Sequence, residues 1–393
     1  MHVLESYALQ DNLKIDKPSI YEKYFPMAVE GRYITLDVSS DDESNKYSHW
    51  DMVLDYMAPY LKEKNITVVQ LGNKDDKQIA GCYIAVGQTD NNQKAYVIKN
   101  SALHVTTNNL SLQLASSYDK KIVTLFSNSF YEQFKPYWSK SEDVTVLTAN
   151  KHKPTFNGNE QPKTIDTIKP EKVAECILQN LGKPHSFAFK TLKVGILYKS
   201  RRIESSLSNP ISEIDKLGIE SLIVRADYQF NLDNLIKQLD ICPCSIVTDK
   251  PIPEDIIDKN KHKIPELIYF LDDSHDPSFV FSCIQKGINI ALATKKTEEE
   301  ASKYKIDYLD IDRNINVIPK VKIEDIEELR FTKKNKIFYK SNKFLFHGGK
   351  AFPSKMAVAA DQSVSSFDHA FMQIFDHEEF WEEKDHFHLV ERK

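Results

Sequence analysis

Short apolar runs alternate with helix-length amphipathic segments along most of this chain, and this alternation limits the fold more than any other feature. The run 33–38 predicts a strand, and 50–61 predicts a helix with its apolar side chains on one face. The run 66–71 predicts the next strand, and the pattern then repeats about every twelve residues. Such alternation is typical of right-handed βαβ units around a parallel sheet, so we predict the α/β fold class.

The same pattern continues on both sides of a polar stretch, 151–167, that contains two prolines and a glycine. Before it, further strands are predicted at 81–86, 102–106 and 121–126, and helices at 91–101 and 111–117. After it, a helix is predicted at 171–181 and strands at 192–198, 221–224, 245–248, 266–271, 288–292 and 307–309. The restart of the pattern after a break indicates a second sheet.

The chain is too long for one hydrophobic core, because single cores usually stop growing near ~250 residues and this chain has 393. We therefore predict two Rossmann-like, doubly wound domains. The predicted organisation is an extended N-terminal arm at 1–30, a first domain at 31–190, a second at 191–320 and a C-terminal extension at 321–393.

Composition excludes some classes of function. The net charge of −5 provides no overall attraction to nucleic acid. The five cysteines form no C-x-x-C pair, which indicates reduced thiols, and the spacing of Cys242 and Cys244 fits strand packing better than a metal site. The chain has no apolar run of the ~18 residues that a membrane helix needs, and its N-terminus does not resemble a signal peptide. We expect a cytoplasmic protein.

Candidate ligand-binding residues follow the predicted strands of the first domain. Ligands of open parallel sheets bind beyond the carboxyl ends of the strands, so these loops carry the most information about function. Hydroxyl, amide and charged side chains are concentrated there: Ser39, Ser40 and Lys46 after the first strand, Gly72, Asp75 and Asp76 after the second, and Thr107, Asn108, Asn109 and Gln113 around the start of a later helix.

These segments resemble the donor-binding half of the heptosyltransferases of glycosyltransferase family nine, which have the two-domain GT-B fold. That family has a hydroxyl pair, a lysine and a tryptophan after one strand, matched here by Ser39, Ser40, Lys46 and Trp50. It has a glycine and an acidic residue after the next strand, matched by Gly72 and Asp75 or Asp76. The segment 87–89 and its following helix match a further element. The resemblance covers roughly residues 30 to 185.

The family's most diagnostic motif, D-T-G-x-x-H, is degenerate in this chain. Asn108 replaces the aspartate, Leu110 the glycine and Gln113 the histidine. A glycine at a helix start lets backbone amides approach a diphosphate, and Leu110 is expected to obstruct that approach. Asn108 and Gln113 retain hydrogen-bonding capacity but carry no charge. The order of the domains also differs, because the family's acceptor domain comes first.

The resemblance implies a GT-B-like glycosyltransferase that moves a sugar from a nucleotide-diphosphate sugar to an acceptor hydroxyl in the interdomain cleft. Ser39, Ser40, Lys46 and Asn108 then hold the diphosphate, and Asp75 or Asp76 contacts base, ribose or sugar. We expect no bound metal, because the sequence has no D-x-D, and no permanently bound cofactor. The acceptor is a glycan or small molecule, or a hydroxymethylated DNA base. The candidates for the catalytic base in the second domain are Asp272, Asp273 and His275, with Asp227 and Asp249 as further strand-end carboxylates.

Two other functions remain open from the sequence. A degenerate transferase that binds a nucleotide sugar, glycan or protein without turnover agrees with the altered motif. A Rossmann-type epimerase or dehydrogenase agrees less well, because no G-x-G-x-x-G follows a strand. DNA as a partner is not favoured by the net charge. The basic residues that a DNA surface requires would come from Lys199, Arg201, Arg202 and the lysines of 333–343.

Several local features also have an ordinary structural interpretation. The loop containing Lys46 fits a solvated connection as well as a phosphate site, and Trp50 and Tyr96 fit packing better than base stacking. The turn 347–350 fits a plain Gly-Gly turn better than a phosphate site. The acidic cluster 376–379 fits a charged face beside Phe375, Phe380 and Trp381 better than a metal site.

Overall fold

The computed structural model describes residues 1–149, 153–198, 201–208, 210–211, 222–308, 315–318, 336–374 and 378–393. The chain divides into two compact units, Met1–Ala188 (unit 1) and Phe189–Lys393 (unit 2). Each unit contains its own parallel sheet, which confirms the α/β fold class.

Unit 1 alternates strands and helices as its sequence pattern predicts. Its helices are α1 (Val3–Asp11), α2 (Trp50–Glu63), α3 (Asn91–Asn100), α4 (Leu110–Ser117), α5 (Tyr131–Phe134) and α6 (Pro170–Asn180). Its strands are β1 (Arg32–Asp37), β2 (Ile66–Leu71), β3 (Tyr83–Ile84), β4 (His104–Thr107), β5 (Ile122–Phe126) and β6 (Val144–Thr148).

The strands of unit 1 form one parallel sheet in the order β3-β2-β1-β4-β5-β6. This is the strand order 3-2-1-4-5-6 of Rossmann folds, in which the order reverses between β1 and β4. The carboxyl ends of those two strands therefore border the crevice in which such sheets bind ligands. Of the strand-end candidates of the first domain, Ser39, Ser40 and Lys46 follow β1, Gly72, Asp75 and Asp76 follow β2, and Asn108 and Asn109 follow β4, whereas Thr107 ends β4 and Gln113 lies within α4.

Apolar side chains cover both faces of this sheet. On one face, α2 buries Trp50, Val53 and Met57, which lie three or four residues apart and so share one side of the helix. On the other face, Val97 and Ile98 of α3 pack with the strands. Helix α3 starts with a capping box, in which the Asp90 side chain accepts from the Gln93 amide at 2.8 Å.

The N-terminal arm differs from the extended segment that the sequence predicts, because residues Val3–Asp11 form α1. His2 caps this helix, accepting from the Leu4 amide at 3.2 Å, and its Nε2 lies 2.9 Å from the Lys135 carbonyl oxygen. None of the residues of α1 is fully buried. A helix held by its cap rather than by an apolar face has no apolar periodicity, so the pattern could not indicate it.

Unit 2 contains two sheets. Its strands are β7 (Phe189–Val194), β8 (Arg202–Ser205), β9 (Leu222–Arg225), β10 (Ser245–Thr248), β11 (Leu267–Phe270), β12 (Ile290–Thr294), β13 (Ile315–Val317), β14 (Ile337–Ser341), β15 (Lys343–His347), β16 (Lys350–Phe352), β17 (Met372–Gln373) and β18 (Phe387–Arg392). Its helices are α7 (Leu232–Ile241), α8 (Glu254–Asn260), α9 (Pro277–Gln285), α10 (Glu298–Asp307), α11 (Lys355–Ala359) and α12 (Glu378–Glu382).

The larger sheet has the order β13-β12-β11-β10-β9-β8-β15-β16 and is parallel except for the β15–β16 hairpin. The smaller sheet, β17-β14-β18-β7, is antiparallel. Residues 336–374 and 378–393, which the sequence analysis assigns to a C-terminal extension, therefore supply strands to both sheets of unit 2.

One strand predicted for this unit belongs to a different sheet, and another predicted strand is wrong. The run 192–198 was predicted as the first strand of the second parallel sheet, but β7 pairs with β18 in the antiparallel sheet. The run 307–309 was predicted as a strand, but Asp307 is the last residue of α10, and residue 309 lies outside the described residues. In both cases the local pattern indicates an apolar segment, whereas the pairing partner depends on residues far away in sequence.

A buried ionic cluster lies inside unit 2. Lys343 is 1% exposed, and its Nζ lies 2.8 Å from Glu204 and 2.5 Å from Glu383. Arg225 contacts Glu204 at 2.9 Å and binds both carboxylate oxygens of Asp227 at 2.7 Å. Burial raises the pKa of Glu204, but Lys343 and Arg225 outweigh burial and hold that pKa at about 2. Loss of any one of these charges would therefore leave its partners buried without compensation.

Replacing Lys343 with Met is expected to destabilise unit 2 by about 3–5 kcal/mol, because the substitution leaves Glu204 and Glu383 buried without that cation. Urea denaturation at pH 7 measures this change. Lys350→Met is the matched control, since Lys350 pairs with Asp361 at 3.0 Å but is 55% exposed, and it should change stability by less than about 1 kcal/mol. Equal effects of the two substitutions would contradict the assignment.

Candidate functional site

The carboxyl ends of β1 and β4 are joined by side-chain hydrogen bonds. Asn109, the N-cap of α4, donates from Nδ2 to the Ser39 carbonyl oxygen at 2.9 Å. Thr106 donates to the Asp37 carbonyl oxygen at 3.1 Å and lies 3.0 Å from Asn109 Oδ1. The loops that follow β1 and β4 are thereby held together at the point where the strand order reverses.

Asp37, the last residue of β1, carries a carboxylate that is only 1% exposed. Its Oδ1 accepts from the Ser39 amide at 2.9 Å and from the Ser39 hydroxyl at 2.5 Å. Its Oδ2 lies 3.8 Å from Nζ of Lys94, which reaches it from α3. A buried carboxylate requires such partners, so Asp37 fixes the start of the loop that follows β1.

His104 of β4 continues these hydrogen bonds to the first turn of α4. Its Nδ1 lies 2.9 Å from the Thr35 hydroxyl, and its Nε2 lies 3.0 Å from the hydroxyl of Ser111. Ser111 in turn donates to Asn109 Oδ1 at 2.8 Å. Burial lowers the pKa of His104 to about 4, so the ring is neutral near pH 7. We call the whole set the switch-point network: Thr35, Asp37, Ser39, Lys94, His104, Thr106, Asn109 and Ser111.

Of this network, the sequence indicated Ser39 and Asn109 as ligand-binding candidates, and Thr106 only as part of the segment that follows the strand. One signal for the others was present, because polar residues occupy alternate positions of two strands, Thr35 with Asp37 and His104 with Thr106. Alternate residues of a strand face one side of the sheet. Two such pairs in neighbouring central strands indicate a polar patch within an otherwise apolar core.

Lys46 is tied to acidic side chains. Its Nζ lies 2.5 Å from Glu43, and this hydrogen bond, together with the charges of Asp76 and Asp41, raises the pKa of Lys46. Ser40 accepts from the Asp42 amide at 3.2 Å. A phosphate would therefore have to replace Glu43 as the partner of Lys46.

The loop after β2 is organised by Asp76. Its Oδ2 accepts from the Asn73 amide at 2.6 Å, and its own amide donates to the Asn73 carbonyl at 3.0 Å. A Cβ atom at Gly72 would lie 3.0 Å from Asp76 Oδ2, so the glycine permits this close turn. Asp75 is exposed. Asp75 is thus the carboxylate of this loop that is directed to solvent, whereas Asp76 also supports the turn.

The remaining candidates around α4 have different surroundings. Thr107 is buried, and its hydroxyl has no hydrogen-bond partner within the described part of the chain. Asn108 donates to Ser129 at 3.1 Å, away from the switch-point network. Gln113 donates to the carbonyls of Phe134 and Lys135 at 3.1 Å and accepts from the Tyr137 amide at 3.2 Å, so it anchors the segment after α5.

Leu110 occupies the first position of α4 and is 57% exposed. An exposed apolar side chain thus occupies the position at which the family has a glycine. Trp50 belongs to the core and packs edge-on to Tyr47 at 5.1 Å, while Tyr96 packs edge-on to Tyr24 at 5.3 Å. The aromatic candidates thus have packing roles in unit 1.

The acidic and histidine candidates of the second domain lie together in unit 2, in the loop after β11. Asp272 accepts from the amide and the hydroxyl of Ser274 at 2.8 Å, and its carbonyl oxygen lies 2.6 Å from His275 Nδ1. Asp273 pairs with Lys296 at 2.8 Å. These contacts stabilise the loop itself. Asp227 belongs to the buried ionic cluster.

Other sequence features have mixed outcomes. Lys199, Lys333, Lys334, Phe375, Asp376 and His377 lie outside the described residues. Phe380 and Trp381 pack in a core of unit 2. All five cysteines are free thiols. Among the residues described, no group of three or more His, Cys, Asp or Glu side chains is arranged to hold a metal ion, and no helix is long and apolar enough to cross a membrane.

Comparison with known proteins gives structural neighbours only. No family model and no curated protein matches the chain. A glycosyltransferase family 9 protein of Veillonella parvula is 17% identical, with 39% of this chain and 47% of that chain covered and a TM-score of 0.32. ADP-heptose LPS heptosyltransferase II of E. coli is 20% identical, with coverage of 45% and 50% and a TM-score of 0.30. The E. coli heptosyltransferase WaaC with ADP is 12% identical, with coverage of 39% and 46% and a TM-score of 0.30.

The matches thus span half or less of each neighbour's length. Two of these neighbours are heptosyltransferases and the third is a family 9 glycosyltransferase, and similarity at this level assigns no activity to this chain. The order of the strands in unit 1 provides the independent evidence for its fold.

Burial of His104 makes the stability of unit 1 depend on pH. Because its pKa is about 4 in the folded chain against about 6.5 unfolded, the unfolded state binds the proton first as pH falls. The free energy of unfolding should be highest above pH 6.5 and should decline by about 3 kcal/mol as the pH falls to 4. His104→Gln should flatten this part of the profile in urea denaturation. His185→Gln, at an exposed position, should leave the wild-type slope, and an unchanged slope in His104→Gln would refute the assignment.

Proposed function

We propose that unit 1 binds the nucleoside diphosphate part of a nucleotide sugar beyond β1 and β4, and that the chain is a glycosyltransferase. One observation carries this proposal. The sheet has the Rossmann strand order, and the polar side chains after its two central strands meet where that order reverses, with Asn109 donating to the Ser39 carbonyl at 2.9 Å. The resemblance of the same loops to family nine supports it.

The proposed contacts follow from the chemistry of each group. A diphosphate carries negative charge that Lys46, the Ser40 hydroxyl and the first amides of α4 stabilise. The exposed carboxylate of Asp75 accepts hydrogen bonds from ribose or sugar hydroxyls. In the reaction, the bond from the anomeric carbon to the diphosphate oxygen breaks and the nucleoside diphosphate leaves with the electron pair. The oxygen of an acceptor hydroxyl forms the new bond and loses its proton.

The diphosphate is a good leaving group only if a cation or a backbone amide stabilises the negative charge that develops on it. Lys46 supplies that charge once it exchanges Glu43 for phosphate. The acceptor that we propose is a hydroxyl of a glycan or small molecule. A hydroxymethylated DNA base is the alternative acceptor. If DNA is the acceptor, its binding to the protein should weaken steeply with added salt, because the DNA phosphates release counterions when they are bound.

A second candidate function is binding without turnover. Two observations favour it: an exposed Leu110 occupies the first position of α4, where the family has a glycine, and Lys46 already has a carboxylate partner at 2.5 Å. In this case the chain binds a nucleotide, glycan or protein, but neither transfers sugar nor hydrolyses the donor. Release of free nucleoside diphosphate from a nucleotide sugar separates the two functions.

The test is titration calorimetry of the full chain with UDP, ADP, GDP and CDP and with their common sugar conjugates. One series should bind, and Lys46→Met should weaken it at least about tenfold, since a hydrogen bond to a charged group contributes about 1.5–3 kcal/mol. Glu43→Gln should tighten binding, because it removes the carboxylate that competes with phosphate.

Lys77→Met is the matched control. Lys77 also forms an exposed pair with a carboxylate, Asp51, at 2.9 Å, but lies after β2, so its loss should not change affinity. An equal loss of affinity in Lys77→Met and Lys46→Met would contradict the proposed phosphate site. An affinity that is unchanged in both Lys46→Met and Glu43→Gln would also contradict it. Absence of binding by every nucleotide would reject the donor-binding function.

A further inference from the structure

Three exposed apolar side chains follow three neighbouring strands of the sheet in unit 1. Among the described residues of this unit outside the N-terminal arm, the large apolar residues that are exposed are Leu110, Phe130 and Phe156. Leu110 follows β4, Phe130 follows β5 and Phe156 follows β6. None of the three follows β1, β2 or β3 directly. Exposed apolar surface at the ligand-binding edge is thus concentrated on one half of the sheet, and such a concentration marks a contact surface.

Phe130 and Phe156 form an aromatic pair. Their ring centroids are 5.7 Å apart, with 59° between the ring planes, and the two residues are 46% and 60% exposed. The next residue, Tyr131, packs edge-on to the buried Phe126 at 5.2 Å, so the chain directs one aromatic ring inward and its neighbour outward. Covering exposed aromatic surface is favourable, so the pair is suited to the apolar face of a ligand.

The backbone holds Phe156 in this exposed position. Its φ is 54°, in the left-handed region that an aromatic residue rarely adopts. The Phe156 amide donates to the Asn128 carbonyl oxygen at 3.1 Å. The next carbonyl oxygen, that of Asn157, accepts from Asn128 Nδ2 at 3.0 Å and from the Ser44 hydroxyl at 2.6 Å. Strained backbone that its surroundings maintain in this way is concentrated at functional sites.

Hydrogen bonds also connect the aromatic pair to the proposed diphosphate site. Ser44, which bonds beside Phe156, belongs to the loop between β1 and α2 that contains Lys46. Asn108 donates to the Ser129 hydroxyl at 3.1 Å, and Ser129 directly precedes Phe130. Both loops proposed to hold the diphosphate are therefore bonded to the segments that carry the two rings.

The strand order indicates which part of a ligand meets the pair. A Rossmann fold has two mononucleotide-binding halves, and an acidic residue of the first half contacts the ribose, so the group beyond the diphosphate lies over the second half. Asp75, after β2, is the exposed carboxylate of the first half. The pair belongs to the second half, since β5 lies one and a half strand spacings, ~7 Å, from the middle of the β1–β4 crevice. In a nucleotide sugar, the group at that place is the sugar.

We infer that Phe130 and Phe156 bind the sugar of the donor, and that this sugar is a pyranose with several C–H groups on one face. The inference rests on the proposed function of unit 1. The C–H groups of such a face carry small positive charges and pack against the negative faces of aromatic rings. The hydroxyls at the rim of the sugar remain available for hydrogen bonds. The pair thus distinguishes donors by their sugar rather than by their base.

The test compares, by titration calorimetry of the full chain, each nucleotide sugar with its own nucleoside diphosphate. The probes are UDP-glucose, ADP-glucose and GDP-mannose, with UDP, ADP and GDP. Phe130→Leu and Phe156→Leu keep an apolar side chain but remove the aromatic face. Each should weaken binding of the sugar conjugate at least about threefold and leave the affinity for the diphosphate unchanged. Tyr21→Leu is the control, because Tyr21 is an aromatic residue of the N-terminal arm that is 75% exposed, and it should change neither affinity.

Saturation-transfer spectra of the sugar conjugate provide a second measurement. Irradiation of the aromatic protons of the protein should saturate the hydrogens on one face of the sugar ring most strongly. Phe156→Leu should remove this preference, whereas Tyr21→Leu should retain it.

The inference is overturned if the substitutions weaken the diphosphate and its conjugate equally, because the pair would then contact the base. It is also overturned if a diphosphate binds in a manner that depends on Lys46 but neither phenylalanine affects the conjugate. That second outcome would leave the proposed donor site intact. Absence of binding by every diphosphate and every conjugate would instead reject the proposed function, and this inference with it.

Discussion

The buried carboxylate of Asp37 is the constraint on which the candidate donor site depends. A charge at 1% exposure is tolerated only with partners, and Ser39 and Lys94 provide them from the following loop and from α3. The Ser39 hydroxyl, an expected phosphate ligand, is therefore engaged by Asp37 in this structure. A ligand therefore meets the loops after β1 and β4, which Asn109 holds together, and does not meet a free Ser39 hydroxyl.

Unit 2 uses buried charge for a different purpose. Lys343 belongs to β15 and Glu204 to β8, while Glu383 follows α12, so the cluster connects the parallel sheet to the C-terminal segments. Directional pairs of this kind favour one arrangement of two sheets, which apolar packing alone does not specify. Both units thus place charged side chains inside the fold, and in both at least one partner comes from a segment distant in sequence, Lys94 for Asp37 and Glu383 for Lys343.

Local elements of the fold were predictable, and long-range relations were not. The strand at 66–71 and the strand at 245–248 coincide with β2 and β10, because buried parallel strands appear as short β-branched runs. The sheet that β7 joins depends on β18, almost two hundred residues later, and no local pattern records it. In the site, Ser39 and Asn109 were found from their places after strands. His104 required the register of β1 against β4, and Lys94 required the packing of α3 against the sheet.

Hydrogen exchange of the backbone amides, with and without the nucleoside diphosphate that binds best, tests the donor-site assignment most directly. The account predicts slower exchange in two segments, 39–46 after β1 and 107–113 at the start of α4, because a ligand in the crevice covers both loops. Unchanged exchange in these two segments at saturating nucleotide, with protection elsewhere in the chain, would contradict it.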